Sequence, residues 1–130
     1  MMVRINRNFV RRGAERMTEN DVARVLDNAD AIGARFLQGG KLSRVLAEGK
    51  LLLSLIRDYW TREYRAAPFW VIGAAVFALL YVLAPIDLLP DALPIVGQID
   101  DVAVVSICVA LARQELAKYE AWRKSRGAIS

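Results

Sequence analysis

The sequence predicts an all-α protein: an amphipathic antiparallel helix pair, then an apolar helical hairpin with an acidic, proline-rich turn. Three observations predict it. Apolar residues recur at three- and four-residue spacing from Thr18 to Tyr64. Residues 66–86 then run for 21 positions without a charge. After them, three prolines and four aspartates crowd the stretch from Pro85 to Asp101, and a second apolar run follows. No stretch alternates with the two-residue period of a strand.

Residues 1–17 read as a basic N-terminal arm. Arg4, Arg7, Arg11, Arg12 and Arg16 lie in it with no apolar core behind them, so it is not a secretory signal. The plain expectation is a solvated segment. A second is a basic segment held near anionic lipid, with Ile5, Phe9 and Val10 dipping in.

Residues 18–65 read as the helical pair. Thr18 and Asp21 make a capping box. Val22, Val25, Leu26, Ala29, Ile32, Gly33 and Phe36 form one stripe, ended by Gly39-Gly40. Lys41 to Tyr64 reads as the return helix, with a stripe from Leu42 through Leu52 and Ile56 to Trp60.

Residues 66–124 read as the hairpin, and 125–130 as a tail. Pro68 suits a helix start, where its missing N–H costs nothing. As a helix, the charge-free run 66–86 is about 30 Å long, the thickness of a hydrocarbon core. It is apolar all round, which fits a membrane span or the central helix of a buried bundle. Residues 66–112 contain no lysine or arginine, while 1–65 carry a net +5 and 102–130 a net +3. That pattern satisfies the positive-inside rule for a hairpin with both legs in the cytoplasm. Trp60, Tyr64, Phe69 and Trp70, with Tyr119 and Trp122, would form an aromatic belt at one interface. Arg113 strains this arrangement, because it would lie level with Ile72 inside the bilayer.

Composition excludes several chemistries. There is no histidine, hence no histidine-dependent nucleophile and no histidine-ligated zinc. Cys108 is the single cysteine, in an apolar setting, and reads as a small buried hydrophobe. Basic residues are interleaved with acids and no recognition motif appears, so nucleic acid is not an expected partner. The chain is expected not to be an enzyme.

The acidic turn holds the candidate site. Structurally, Pro85 stops a helix, Pro90 and Pro94 stiffen the turn, and Gly97 supplies a positive φ. Asp87 caps the next turn, and Asp100 or Asp101 caps the last helix. The second reading is a hard-cation site. Asp87 and Asp91, four apart, would share a helix face, and Asp100 and Asp101 would complete an oxygen set for Ca²⁺ or Mg²⁺. No cofactor is otherwise expected.

The run from Tyr81 to Asp101, with Pro85, Asp87, Pro90, Asp91, Pro94, Gly97, Asp100 and Asp101 in order, resembles the YkvA-like domain of unknown function (domain of unknown function 1232). The resemblance covers about residues 66–112. It implies a small, mostly bacterial, membrane-associated helical domain, similar to segments in the membrane region of some RING-type ubiquitin ligases. It implies no activity and carries over no catalytic residue.

The expected function is therefore a membrane-associated helical protein acting as a structural, interaction or oligomeric scaffold. Its expected partners are the lipid bilayer and a second copy of itself, for which Gly73 and Ala74 offer close helix contact. The expected location is the bacterial inner membrane with both termini cytoplasmic. Two alternatives stand beside it: a divalent-cation-binding or ion-permeation element using the four aspartates, and a soluble, cytoplasmic bundle with the hairpin as its core.

Overall fold

The computed structural model describes residues 6–37, 41–83 and 101–129, and every regular element among them is helical. The fold is all-α. Helix α1, Arg7–Arg16, starts where the Asn6 side chain accepts a hydrogen bond from the Phe9 N–H at 3.0 Å. Its Phe9, Val10, Gly13 and Ala14 are buried, while Arg7, Arg11, Arg12 and Arg16 face outward. The segment expected as a solvated arm is thus a packed helix over these residues. Phe9 and Val10 face protein, not lipid.

Helix α2, Glu19–Asp27, opens on the Thr18–Asp21 pair. The Asp21 carboxylate accepts from the Thr18 N–H at 2.9 Å and lies 3.0 Å from its hydroxyl. The helix predicted to run on to Gly39 is interrupted only at Asn28, and α3 is Ala29–Leu37. The ladder continues across it, from Asn28 N to Arg24 O at 3.2 Å and from Ile32 N to Asn28 O at 2.9 Å. The Asn28 side-chain amide donates to the Arg24 carbonyl at 2.8 Å, sharing a group the helix ladder uses. A 3-10 turn, Lys41–Val45, leads into α4, Leu46–Trp60. Gly49 lies under the Phe36 ring, so close that a Cβ there would overlap it. This contact seats α4 on α3.

Helix α5, Phe69–Leu83, is the centre of the molecule. Every residue from Val71 to Val82 is buried. It packs against α1, α2, α3, α4 and the helix Asp101–Leu111. Gly73 brings α1 to within backbone contact: a Cβ on it would stand 2.6 Å from the Ala14 carbonyl oxygen. Phe77 meets Phe9 edge-on, with ring centroids 5.5 Å apart.

Helix α6, Asp101–Leu111, and α7, Arg113–Ile129, are nearly one rod. Hydrogen bonds from Ala112 N to Cys108 O at 3.0 Å and from Leu116 N to Ala112 O at 2.8 Å carry the ladder across the join. Val104, Val105, Cys108, Ala112, Leu116 and Tyr119 form their buried stripe. Arg113 is exposed. No charged side chain is buried among the described residues.

This packing bears on the expected transmembrane helix. Among the described residues, no helix is long and apolar enough to cross a membrane. Helix α5 has 15 residues, a length of about 22 Å, and its circumference is clad in protein. The Gly73–Ala74 face, read as a surface for a second copy, is occupied by α1 of the same chain.

Candidate functional site

Most of the predicted site lies outside the described residues: Pro85, Asp87, Pro90, Asp91, Pro94, Gly97 and Asp100. Asp101 opens α6, but its side chain is not among those described. Among the described residues, no group of three or more acidic or cysteine side chains is placed to hold a metal ion. Cys108 is buried, as expected, and burial pushes its thiol pKa up to about 12. A thiol so protonated is a packing group rather than a nucleophile.

The geometry gathers distinctive side chains at the corner where α4 ends and α5 begins. Helix α4 closes with a Schellman arrangement. The Arg62 N–H donates to Tyr59 O at 3.1 Å and the Glu63 N–H to Asp58 O at 2.9 Å. Arg62 occupies its left-handed position, φ 67°. Glycine is the usual residue there, because a side chain in that conformation costs about 1 kcal/mol. Next to it, the Arg65 guanidinium lies 4.1 Å above the Tyr59 ring and donates to Tyr59 O at 3.0 Å. Phe69 packs on the other side, its centroid 6.1 Å from that of Tyr59.

Among the described residues, three of the four large hydrophobic residues that stand exposed belong to this corner: Trp60 at 44%, Phe69 at 37% and Trp70 at 47%. The fourth, Leu37, ends α3. Trp70 lies on the α5 stripe of Gly73 and Phe77, one turn before α1 covers it. The corner is thus where the cladding of the central helix stops.

Behind it, α7 is locked to α4. The Tyr119 hydroxyl donates to the Asp58 carboxylate at 2.6 Å. Burial raises the Tyr119 pKa, and the Asp58 hydrogen bond and charge raise it further. Tyr64 packs against Tyr119 and Trp122 with centroids 5.0 and 4.9 Å away. Burial, then the charge of Glu115, raises the Tyr64 pKa, against the opposing effect of Lys118. Arg126 pairs with Glu63 and lies 4.8 Å from the Trp122 ring centroid. The two aromatic groups expected in one belt do meet at one end. Tyr64 and Tyr119 are buried there, however, and Trp122 is half-buried, while Trp60, Phe69 and Trp70 face out.

An open groove of about 690 Å³ runs between α4 and α6–α7, lined by Glu48, Lys50, Ser54, Arg57, Val109 and Arg123 among others. It mixes both charge signs over an apolar floor. The interhelical locks at Asp58–Tyr119 and Glu63–Arg126 escaped sequence reasoning, since the partners are 61 and 63 residues apart.

Comparison with known proteins places this architecture. Residues 71–107 match the family model described as "Protein of unknown function (DUF1232)". These residues comprise most of α5, the connection to α6, and the first turns of α6. Over 69 residues the chain is 33% identical to the "Uncharacterized membrane protein YkvA" of Bacillus subtilis (strain 168). That alignment covers 53% of this chain and 65% of the relative, so the chain spans a little under two thirds of the relative's length. No solved structure matches the chain. Residues 71–107 are thus similar to the YkvA-like domain of unknown function 1232.

Proposed function

We propose that the protein is a membrane-associated helical scaffold that acts by binding rather than by catalysis. It rests on the cytoplasmic face of the bacterial inner membrane, with both termini in the cytoplasm. One observation carries the reading: Trp60, Phe69 and Trp70 stand exposed at the α4–α5 corner, whereas the other large apolar side chains among the described residues, Leu37 apart, are at least partly buried. Amphipathic aromatic rings partition to the headgroup level of a bilayer. The name of the relative as a membrane protein supports the same reading. The bundle then needs no span: the corner enters the interface while α5 stays clad.

The test is vesicle binding at neutral pH, using vesicles of mixed phosphatidylcholine and phosphatidylglycerol. The protein is expected to co-sediment with them, and Trp60→Ser/Trp70→Ser to remain in the supernatant with an unchanged circular dichroism spectrum. Equal sedimentation of parent and variant would refute the corner as the membrane contact. Alkaline extraction is a poor substitute, because the buried Cys108 and Tyr119 lose protons at high pH and the bundle itself is weakened.

A further inference from the structure

We propose that the α4–α5 corner selects anionic phospholipid, with Arg62 as the residue that meets the headgroup phosphate. This rests on the membrane reading above and adds the class of lipid. The corner carries Arg57, Arg62 and Arg65 against Asp58 and Glu63. Both acids are engaged from behind: Asp58 accepts the Tyr119 hydroxyl and Glu63 pairs with Arg126. Arg126 offsets the charge of Glu63, which is itself exposed, and Arg62 and Arg65 stay exposed beside it, while Arg57 lines the groove. Exposed Arg123 and Lys124 on α7 add positive charge nearby, with Glu120 exposed beside them. An apolar wedge of three aromatics with a cationic rim is complementary to a bilayer whose headgroups are negative.

Arg62 is singled out by its backbone. It sits in sequence between the exposed Trp60 and Phe69, in the left-handed conformation that glycine would hold without strain. Folding alone would favour glycine there. An arginine at such a position points to a task outside the fold. A guanidinium suits that task, since its fork of N–H donors matches phosphate oxygens.

The experiment compares the full chain with Arg62→Gln, Arg62→Gly and Arg11→Gln/Arg12→Gln. Each is titrated with vesicles of pure phosphatidylcholine and of phosphatidylglycerol mixed into phosphatidylcholine, at low and high salt. The parent is expected to bind the anionic vesicles more tightly, with the preference fading as salt screens it. Loss of one arginine near the surface weakens that binding about fivefold. Arg62→Gly should do so while raising the thermal midpoint, so the loss cannot be a folding defect. The α1 double variant should keep the preference that depends on Arg62. Equal binding of neutral and anionic vesicles would overturn the anionic selection and leave the aromatic membrane contact standing. Loss of the preference in the α1 variant alone would also overturn the assignment to Arg62. Failure to bind either vesicle would overturn both readings.

Discussion

Replacing Gly73 by alanine should destabilise the protein, although alanine is the better helix former. A Cβ at this position would stand 2.6 Å from the Ala14 carbonyl oxygen and 3.3 Å from its carbonyl carbon. The obstacle is backbone, so no side-chain rotation relieves it. Restoring the 3.4 Å at which ordinary contact begins requires α1 and α5 to separate by as much as 0.8 Å. A gap of that order forfeits about a quarter to a half of each dispersion contact across the seam. Phe9, Val10 and Ala14 are buried on the α1 side of that seam. Forcing a methyl into such a site costs about 1–3 kcal/mol. The gain from removing a glycine inside a helix offsets about 0.5–1 kcal/mol. The net expectation is a loss of about 1–2 kcal/mol, or several degrees in thermal midpoint for a chain of this size. Gly33 supplies the control, because nothing lies within 4 Å of a Cβ placed there. Gly33→Ala should stabilise by about 0.5–1 kcal/mol through the propensity term alone. Urea unfolding followed by circular dichroism measures both. If Gly73→Ala proved as stabilising as Gly33→Ala, the close packing of α1 on α5 would be refuted.

Two further predictions concern the α4–α7 lock and the buried thiol. Tyr119→Phe removes the hydroxyl bonded to Asp58 at 2.6 Å and should cost about 1.5 kcal/mol, the low end for a bond to a charged group, since Asp58 is only half-buried and can rehydrate. An unchanged urea midpoint would show that the bond contributes nothing. The Cys108 pKa rises from 9.0 to about 12 on folding, so the folded state holds the proton longer than the unfolded one. Its stabilisation is complete below pH 9 and lost as pH climbs toward 12. Tyr119, also raised, adds a loss in the same direction above pH 10. Unfolding midpoints measured across this range should therefore fall with pH, and less steeply in Cys108→Ala. Parallel curves for the two proteins would contradict the burial of the thiol.

Much of the fold was legible because its signals are local. The stripe from Val22 to Phe36, the Thr18–Asp21 box and the buried Cys108 all follow from spacing and neighbours. Helix α1 was missed because two of its four buried residues are Gly13 and Ala14. Small residues register weakly in hydropathy, and their value here is the close approach to Gly73 and Phe77, which only the tertiary partner reveals. Asn28 distorts the first helix locally, its side-chain amide sharing the Arg24 carbonyl with its own N–H, a feature that periodicity averages away. At the candidate site, the aromatic residues were visible in the sequence and their sorting was not. Tyr64 and Tyr119 differ from Trp60 and Trp70 in burial through contacts some fifty to sixty residues apart in the chain. The positive φ of Arg62 carries no composition signal at all, because the residue expected at that place is glycine.

The charge-free window that suggested a span has a simpler cause in the described structure. A lysine or arginine is expelled from hydrocarbon because an unpaired charge is costly where the dielectric constant is low. The centre of a helical bundle expels it for the same reason. Composition therefore records that α5 sits in a medium of low polarity without recording whether that medium is lipid or protein. The described part of the helix, Phe69–Leu83, has 15 residues, about 22 Å. Its surroundings are α1 through α4 and α6, so the apolar sides that a lone span would offer to lipid are already taken. A helix central to a bundle must be apolar on every face, and α5 is. The excess of hydrophobic residues over an ordinary composition, 55% of the chain, then reflects one helix wrapped by its own protein. On the proposed function, the membrane contact would fall to the few described aromatic side chains that the wrapping leaves uncovered.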